Sequence, residues 1–123
     1  VCIEIARKED TTPTFWWDWR STYYADPHSW IGEMYHSEKW GAWPASARYK
    51  NPKVDELLDK AVRVLEKEER EKLYKEAGRL IVADAASLFI HNEKWTGTYH
   101  KDVRGIRFSP VGDANEWRWL HWV

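Results

Sequence analysis

The chain has 123 residues, a net charge of −1 and a pI near 6.6, so it carries no polybasic footprint for nucleic acid or anionic lipid. Its mean hydropathy of −0.75, without an apolar run of the length a bilayer demands, excludes a membrane-spanning helix. Ten tryptophans beside a single cysteine, Cys2, mark an aromatic-rich domain with no internal disulfide.

Val1, Ile3 and Ile5 alternate with Cys2, Glu4 and Ala6, which predicts a short strand. A chain that opens on a strand in progress, with no signal peptide ahead of it, reads as a piece of something longer. The segment "TFWWDW" predicts a second strand, because rings fit a pleated surface. Asp26-Pro27 then predicts a helix start, with Asp as cap and proline where no amide is needed. Trp30, Ile31, Met34 and Tyr35 follow at helical spacing, and Trp30 is expected in the core. The Gly, Pro and Ser of "KWGAWPASARYK" predict a loop.

Asn51-Pro52 repeats the cap-then-proline signal. Val54, Leu57, Leu58, Ala61 and Leu65 form one apolar stripe, with Asp55, Glu56, Asp59 and Lys60 on the solvated face. Leu73, Ala77, Leu80 and Ile81 form a second. One helix from Pro52 to Asp84 would be very long for a globular domain, so two helices meeting near Lys67 are expected. "ASLFIHNEKWTGTYH" and "VRGIRFS" read as strands about a turn near Asp102, and "EWRWLHWV" as a closing strand. Strands around a helical pair give a mixed α/β or α+β unit.

Few signals for catalysis appear. His28 and His36 are eight residues apart, and His91 and His100 nine, so neither pair has helical metal-ligand spacing. The glycines are isolated, which excludes a phosphate loop, and no serine has a nucleophile-elbow context. Asp55 and Asp59 fall on the solvated face of a helix, where a surface role outweighs acid–base work. The expectation is a binding protein rather than an enzyme, without metal or cofactor.

Three stretches carry a family resemblance. "YYADPHSWI" from Tyr23 to Ile31, "YKNPKVDELLDKA" from Tyr49 to Ala61, and "REKLYKEAGRLIVADAA" from Arg70 to Ala86 occur in this order, with a V-x-G at Val103 to Gly105. The series resembles the C-terminal portion of extracytoplasmic solute-binding proteins of family 5, the oligopeptide, dipeptide and nickel receptors of ABC importers. The resemblance covers roughly residues 13 to 108. It implies part of the C-terminal lobe of a type II periplasmic-binding-protein fold. Residues 1–123 would form a single unit within a larger two-lobed receptor. Residues 1–85 would belong to the C-terminal lobe, and residues 86–123 would supply a hinge-crossing strand and a tail completing the other lobe.

The implied function is capture of a small solute, an oligosaccharide or oligopeptide, for delivery to a membrane permease. The implied location is periplasmic or extracytoplasmic and membrane-associated, in a bacterium or archaeon. Peptide-binding relatives place a carboxylate for the ligand's amino group four residues before the proline, a position held here by Tyr23; Asp18 lies five residues earlier. A peptide amine is therefore disfavoured and a sugar-like ligand suggested. The expected ligand-binding residues are Trp16, Trp17, Asp18, Trp19, Tyr23 and Tyr24. In a strand Trp17 and Trp19 share one face, and Trp16 and Asp18 the other. Packing of the same rings into a core is the competing reading. Asp26 is assigned to helix capping. Trp117, Trp119 and Trp122 are assigned to packing against the absent lobe. A lone fragment would expose an apolar face and self-associate. The alternative function is a free-standing protein-interaction domain rich in exposed aromatics.

Overall fold

A computed structural model describes residues 2–15, 24–90, 94, 96–107 and 119–123. By its contacts the chain divides into two units. One comprises Val1–Asp18 with Asp26–Phe89, the other Trp19–Ala25 with Ile90–Val123.

The first unit begins with helix α1, Cys2–Arg7, where alternation predicted a strand. Six residues are too few for apolar period to separate helix from strand, and local bonds settle the matter. The Thr11 hydroxyl donates to the Ile5 carbonyl at 3.1 Å and the Thr12 hydroxyl to the Lys8 carbonyl at 2.6 Å, closing orphaned acceptors at the helix end. Arg7 Nε donates to the Gly41 carbonyl at 3.3 Å, and α1 packs against the 3₁₀ turn Trp43–Ala45. So short a helix needs that tertiary support.

Helix α2, Pro27–Tyr35, starts where expected: the Asp26 carboxylate accepts from the His28 amide at 2.8 Å. Its buried face is Ser29, Gly32 and Tyr35. Trp30, expected in the core, is 38% exposed. The helix docks through small residues that permit close approach, and its largest ring falls on the outer side. The predicted loop is confirmed, drawn in by 3₁₀ turns at Ser37–Lys39 and Trp43–Ala45.

Helix α3, Pro52–Arg63, opens on Asn51, whose side chain accepts from the Lys53 amide at 3.0 Å. Helix α4, Lys67–Ala83, follows after three residues, so the two-helix reading with its junction near Lys67 holds. Val54, Leu58 and Ala61 are wholly buried against Leu73, Tyr74, Ala77 and Ile81, with Tyr35 of α2 closing the cluster. Leu57 and Leu80 lie partly buried at its edge. Leu65, assigned to the stripe, is 98% exposed because α3 has already ended. A straight continuation would carry the α4 stripe away from α3. Folding back buries both stripes, places Val64 against the core and leaves Leu65 at the corner.

Helix α4 ends in a Schellman motif: Ala85 and Ala86 donate to the carbonyls of Val82 and Ile81 at 3.1 and 3.3 Å. The left-handed position of this motif, normally glycine, is Ala85 at φ +52. Ala85→Gly is therefore expected to stabilise the chain by about 1 kcal/mol. The check is a higher urea midpoint with an unchanged slope.

The second unit contains a ribbon in which β1, Val103–Arg104, pairs antiparallel with β2, His121–Trp122. The turn expected near Asp102 is present, and the Val123 amide donates to the Asp102 carbonyl at 2.9 Å. Gly105 is obligatory: it sits at φ +78, and a Cβ there would fall 1.8 Å from the Trp119 carbonyl oxygen. Of the long strands predicted around this ribbon, residues 91–93, 95, 108–109 and 116–118 lie outside the described residues. Leu88, Phe89 and Ile90 form no ladder among the described residues and are 71%, 56% and 58% exposed. An apolar run becomes a strand only beside a partner edge. The described architecture is thus a mixed, mainly helical one with a small two-stranded sheet. Among the described residues no helix is long and apolar enough to cross a membrane.

Candidate functional site

Of the six residues expected to touch ligand, Trp16, Trp17, Asp18, Trp19 and Tyr23 lie outside the described residues. Tyr24 is described and is 41% exposed. The second predicted strand, 14–19, lies mostly outside them as well. Phe15, at its start, is 73% exposed.

The chain leaves this aromatic stretch at Asp26, which does more than cap a helix. Its carboxylate also accepts a two-pronged pair of bonds from Arg70 of α4, Nη1 at 2.6 Å and Nη2 at 2.8 Å. Arg70 Nε donates to the Ala61 carbonyl in the last turn of α3 at 3.1 Å, so one guanidinium ties three helices together. The Arg70 bonds hold the Asp26 carboxyl below its ordinary range, and the Asp26 carboxylate raises Arg70 in turn. Both side chains are little more than a quarter exposed, so solvent screens the pair only in part.

A second chain of bonds runs from the same guanidinium. Arg70 Nη2 donates to the Tyr74 hydroxyl at 3.2 Å, and Tyr74 meets His28 Nδ1 at 3.2 Å. Burial pushes His28 below its ordinary value, which suits a neutral ring accepting the tyrosine hydrogen. Burial likewise raises Tyr74.

At the far end of α4, Tyr49 and Asn51 both donate to Asp84. Burial and that bond push the Tyr49 phenol up to about 12. The same two donors hold the Asp84 carboxyl below its usual range. Asp55 is also engaged, a departure from the solvated face assigned to it. It accepts from the Ser37 amide at 3.0 Å and the Ser37 hydroxyl at 2.7 Å. Buried His36 accepts from the Glu38 amide through Nδ1 at 3.1 Å and meets exposed Asp59 through Nε2 at 3.3 Å. Among the described residues no group of three or more His, Cys, Asp or Glu is arranged to hold a metal ion.

These bonds give the three sequence motifs a physical role. Asp26 of the D-P motif bonds Arg70 of the R-x-x-x-Y motif, while Asn51 of the N-P motif bonds Asp84 just beyond it. Sequence reasoning saw each motif separately and missed the partners. The four-residue spacing of Arg70 and Tyr74 on one helix face was the available signal.

Among the described residues, two shallow depressions stand out on the helical unit. One is lined by residues of α3 including Asp55, Asp59, Lys60 and Arg63, the other by Lys75, Gly78, Arg79 and Val82. In the second unit, the Arg107 guanidinium lies 4.1 Å from the Trp119 ring centre, and His100 tilts against Trp122 at 5.6 Å. Trp119 and Trp122 are 43% and 72% exposed; Trp117 lies outside the described residues.

Comparison with known proteins hints at the class of extracytoplasmic solute-binding receptors, and the mixed helical fold is compatible with a portion of one. The chain is 27% identical over 88 residues to the probable D,D-dipeptide-binding periplasmic protein DdpA of Escherichia coli (strain K12). That alignment takes in 72% of this chain, and the chain spans 17% of the length of this relative. No family model and no solved structure matches the chain.

Proposed function

We propose that this chain is part of the substrate-binding component of an ABC importer, a non-enzymatic extracytoplasmic receptor that captures a small solute for a membrane permease. The observation that carries this reading is the similarity over 88 residues to a periplasmic dipeptide-binding protein. The bonding of the D-P, N-P and R-x-x-x-Y motifs into one helical frame supports it, because motifs shared for a common fold should meet in space.

Within this reading, residues 1–85 belong to the C-terminal lobe and residues 86–123 to a hinge-crossing segment and tail. Trp16, Trp17, Asp18, Trp19, Tyr23 and Tyr24 form the ligand wall. A flat ring gives broad contact at little entropic cost, and an indole N–H still holds a polar group. Asp26, locked to α2 and α4, fixes the point at which that segment enters the helical frame.

The solute is an oligosaccharide or an oligopeptide. Tyr23, in place of an amine-gripping carboxylate, favours the sugar, whereas the relative's name favours the peptide. Tryptophan fluorescence of the full-length receptor, titrated with oligosaccharides and with short peptides, separates them. The expected outcome is a saturable change with an oligosaccharide. Tight peptide binding that disappears when the amino terminus is acetylated would reverse the ligand assignment.

A second reading, a protein-interaction domain, is favoured by the exposed run Leu88, Phe89 and Ile90. It predicts capture of a protein partner by a chain that stays monomeric at moderate concentration, with no fluorescence response to either solute.

A further inference from the structure

Arg48 combines two anomalies. Its backbone lies at φ +46, in the left-handed region, where a Cβ crowds the following carbonyl and glycine is preferred. Its guanidinium Nη2 is buried and has no hydrogen-bond partner among the described residues, although the residue as a whole is half-buried.

Both features sit in a fixed frame. The Arg48 amide donates to the Ala45 carbonyl at 3.1 Å, and the Trp40 indole N–H donates to the Tyr49 carbonyl at 2.9 Å. Ala45 and Ser46, just before it, are buried, and Tyr49, just after it, packs on the core. The segment is held from both sides.

A guanidinium nitrogen removed from water and left unpaired is costly, far more so than one facing an acceptor. Backbone strain adds to that cost at the same residue. Strain and an orphaned donor persist together where a ligand completes the site. The chemistry of the donor selects the ligand. A planar fork of N–H groups matches the two oxygens of a carboxylate, and a positive charge favours an anion.

We propose that Arg48 is a binding site for the carboxylate of a small molecule. The proposal uses neither the aromatic stretch nor the similarity to a known receptor, so it stands or falls independently of the solute-binding reading. It also accounts for an arginine at a position whose backbone asks for glycine: the side chain is kept for binding at a cost in stability.

The test follows the side-chain Nε–Hε resonances of the arginines by NMR while the chain is titrated with acetate. Acetamide, of similar size but neutral, is the control. The expected result is a saturable shift of Arg48 with acetate and none with acetamide, while exposed Arg63 and Arg79 respond only weakly and linearly. Arg48→Lys keeps the charge without the fork, and the saturable acetate-induced shift of the neighbouring Tyr49 backbone amide, a signal present in every variant, should weaken about ten-fold. Arg48→Gly should abolish it and raise the melting temperature. The proposal is overturned by an Arg48 response no larger than that of Arg63 and Arg79, or by an equal response to acetamide. A response to inorganic phosphate without one to acetate would overturn the carboxylate assignment. A fall in melting temperature for Arg48→Gly would make Arg48 a structural residue and also overturn it.

Discussion

Leu58→Ala is expected to destabilise the chain by about 2–5 kcal/mol, a large part of the margin by which a domain of this size stays folded. Leu58 is 0% exposed on α3, within a cluster formed by Val54, Ala61, Leu73, Tyr74, Ala77 and Ile81. Removing its branched end forfeits the transfer of those carbons from water and leaves a void that the rigid helix pair cannot fully close. Leu65→Ala is the internal control. At 98% exposed, Leu65 should change stability by less than about half a kilocalorie. Urea denaturation of both variants checks the pair. A Leu58→Ala loss as small as that of Leu65→Ala would mean that the α3 stripe does not face α4.

The second large effect concerns Asp26. Asp26→Ala removes a helix cap and both acceptors of the Arg70 fork, an expected loss of about 2–4 kcal/mol. Asp26→Asn preserves the cap, since asparagine serves there equally well, and should lose about half as much. The pH dependence has a definite sign. With its folded value below the ordinary 3.8, Asp26 contributes stability that is complete above about pH 4 and fades as pH falls through the folded value. His28, held below 6.5 by burial, acts in the same direction but higher: its contribution is full above about pH 6.5 and declines below that. Acid titration of stability should therefore show a decline beginning near pH 6.5 and a steeper one below pH 4. In Asp26→Asn the lower step should shrink while the upper step remains. An identical acid profile for the two proteins would show that the Asp26–Arg70 pair contributes nothing to folding.

How much of this was legible in the sequence depends on how local each cause is. The caps at Asp26 and Asn51 were readable because a cap is a three-residue event, and proline marks its place. The helix pair was readable from two stripes of period 3.6. Where the pair turns was only partly readable: the stripe continues to Leu65, but tertiary packing ends the helix at Arg63. Trp30 illustrates a different limit. Periodicity placed it near the core side, yet α2 packs through Ser29 and Gly32, and small size decided the contact. At the amino terminus, six alternating residues fitted a strand as well as a helix, and the bonds from Thr11 to Ile5 and from Thr12 to Lys8 lay beyond the window.

The candidate site was less legible still. Arg70 lies 44 residues from Asp26, so nothing in a local window pairs them. Asp55 was assigned to the solvated face by helical phase, and its role emerged only when the turn carrying Ser37 came to rest against it. Residues 87–90 show the reverse error. Their apolar run was read as a strand, but a strand needs a neighbour that composition does not supply, and no ladder forms at them among the described residues.

The central claim is that the aromatic stretch captures a solute. It is tested most directly by repeating the tryptophan-fluorescence titration of the full-length receptor with Trp16→Ala, Trp17→Ala and Trp19→Ala, each compared with the unaltered protein. Adjacent rings of a strand face opposite ways, so the account predicts an unequal result. Affinity should fall at least about ten-fold for one face, either Trp17 and Trp19 together or Trp16 alone, and stay nearly constant for the other. Unchanged affinity in all three variants, or no saturable binding of any sugar or peptide by the unaltered receptor, would contradict it.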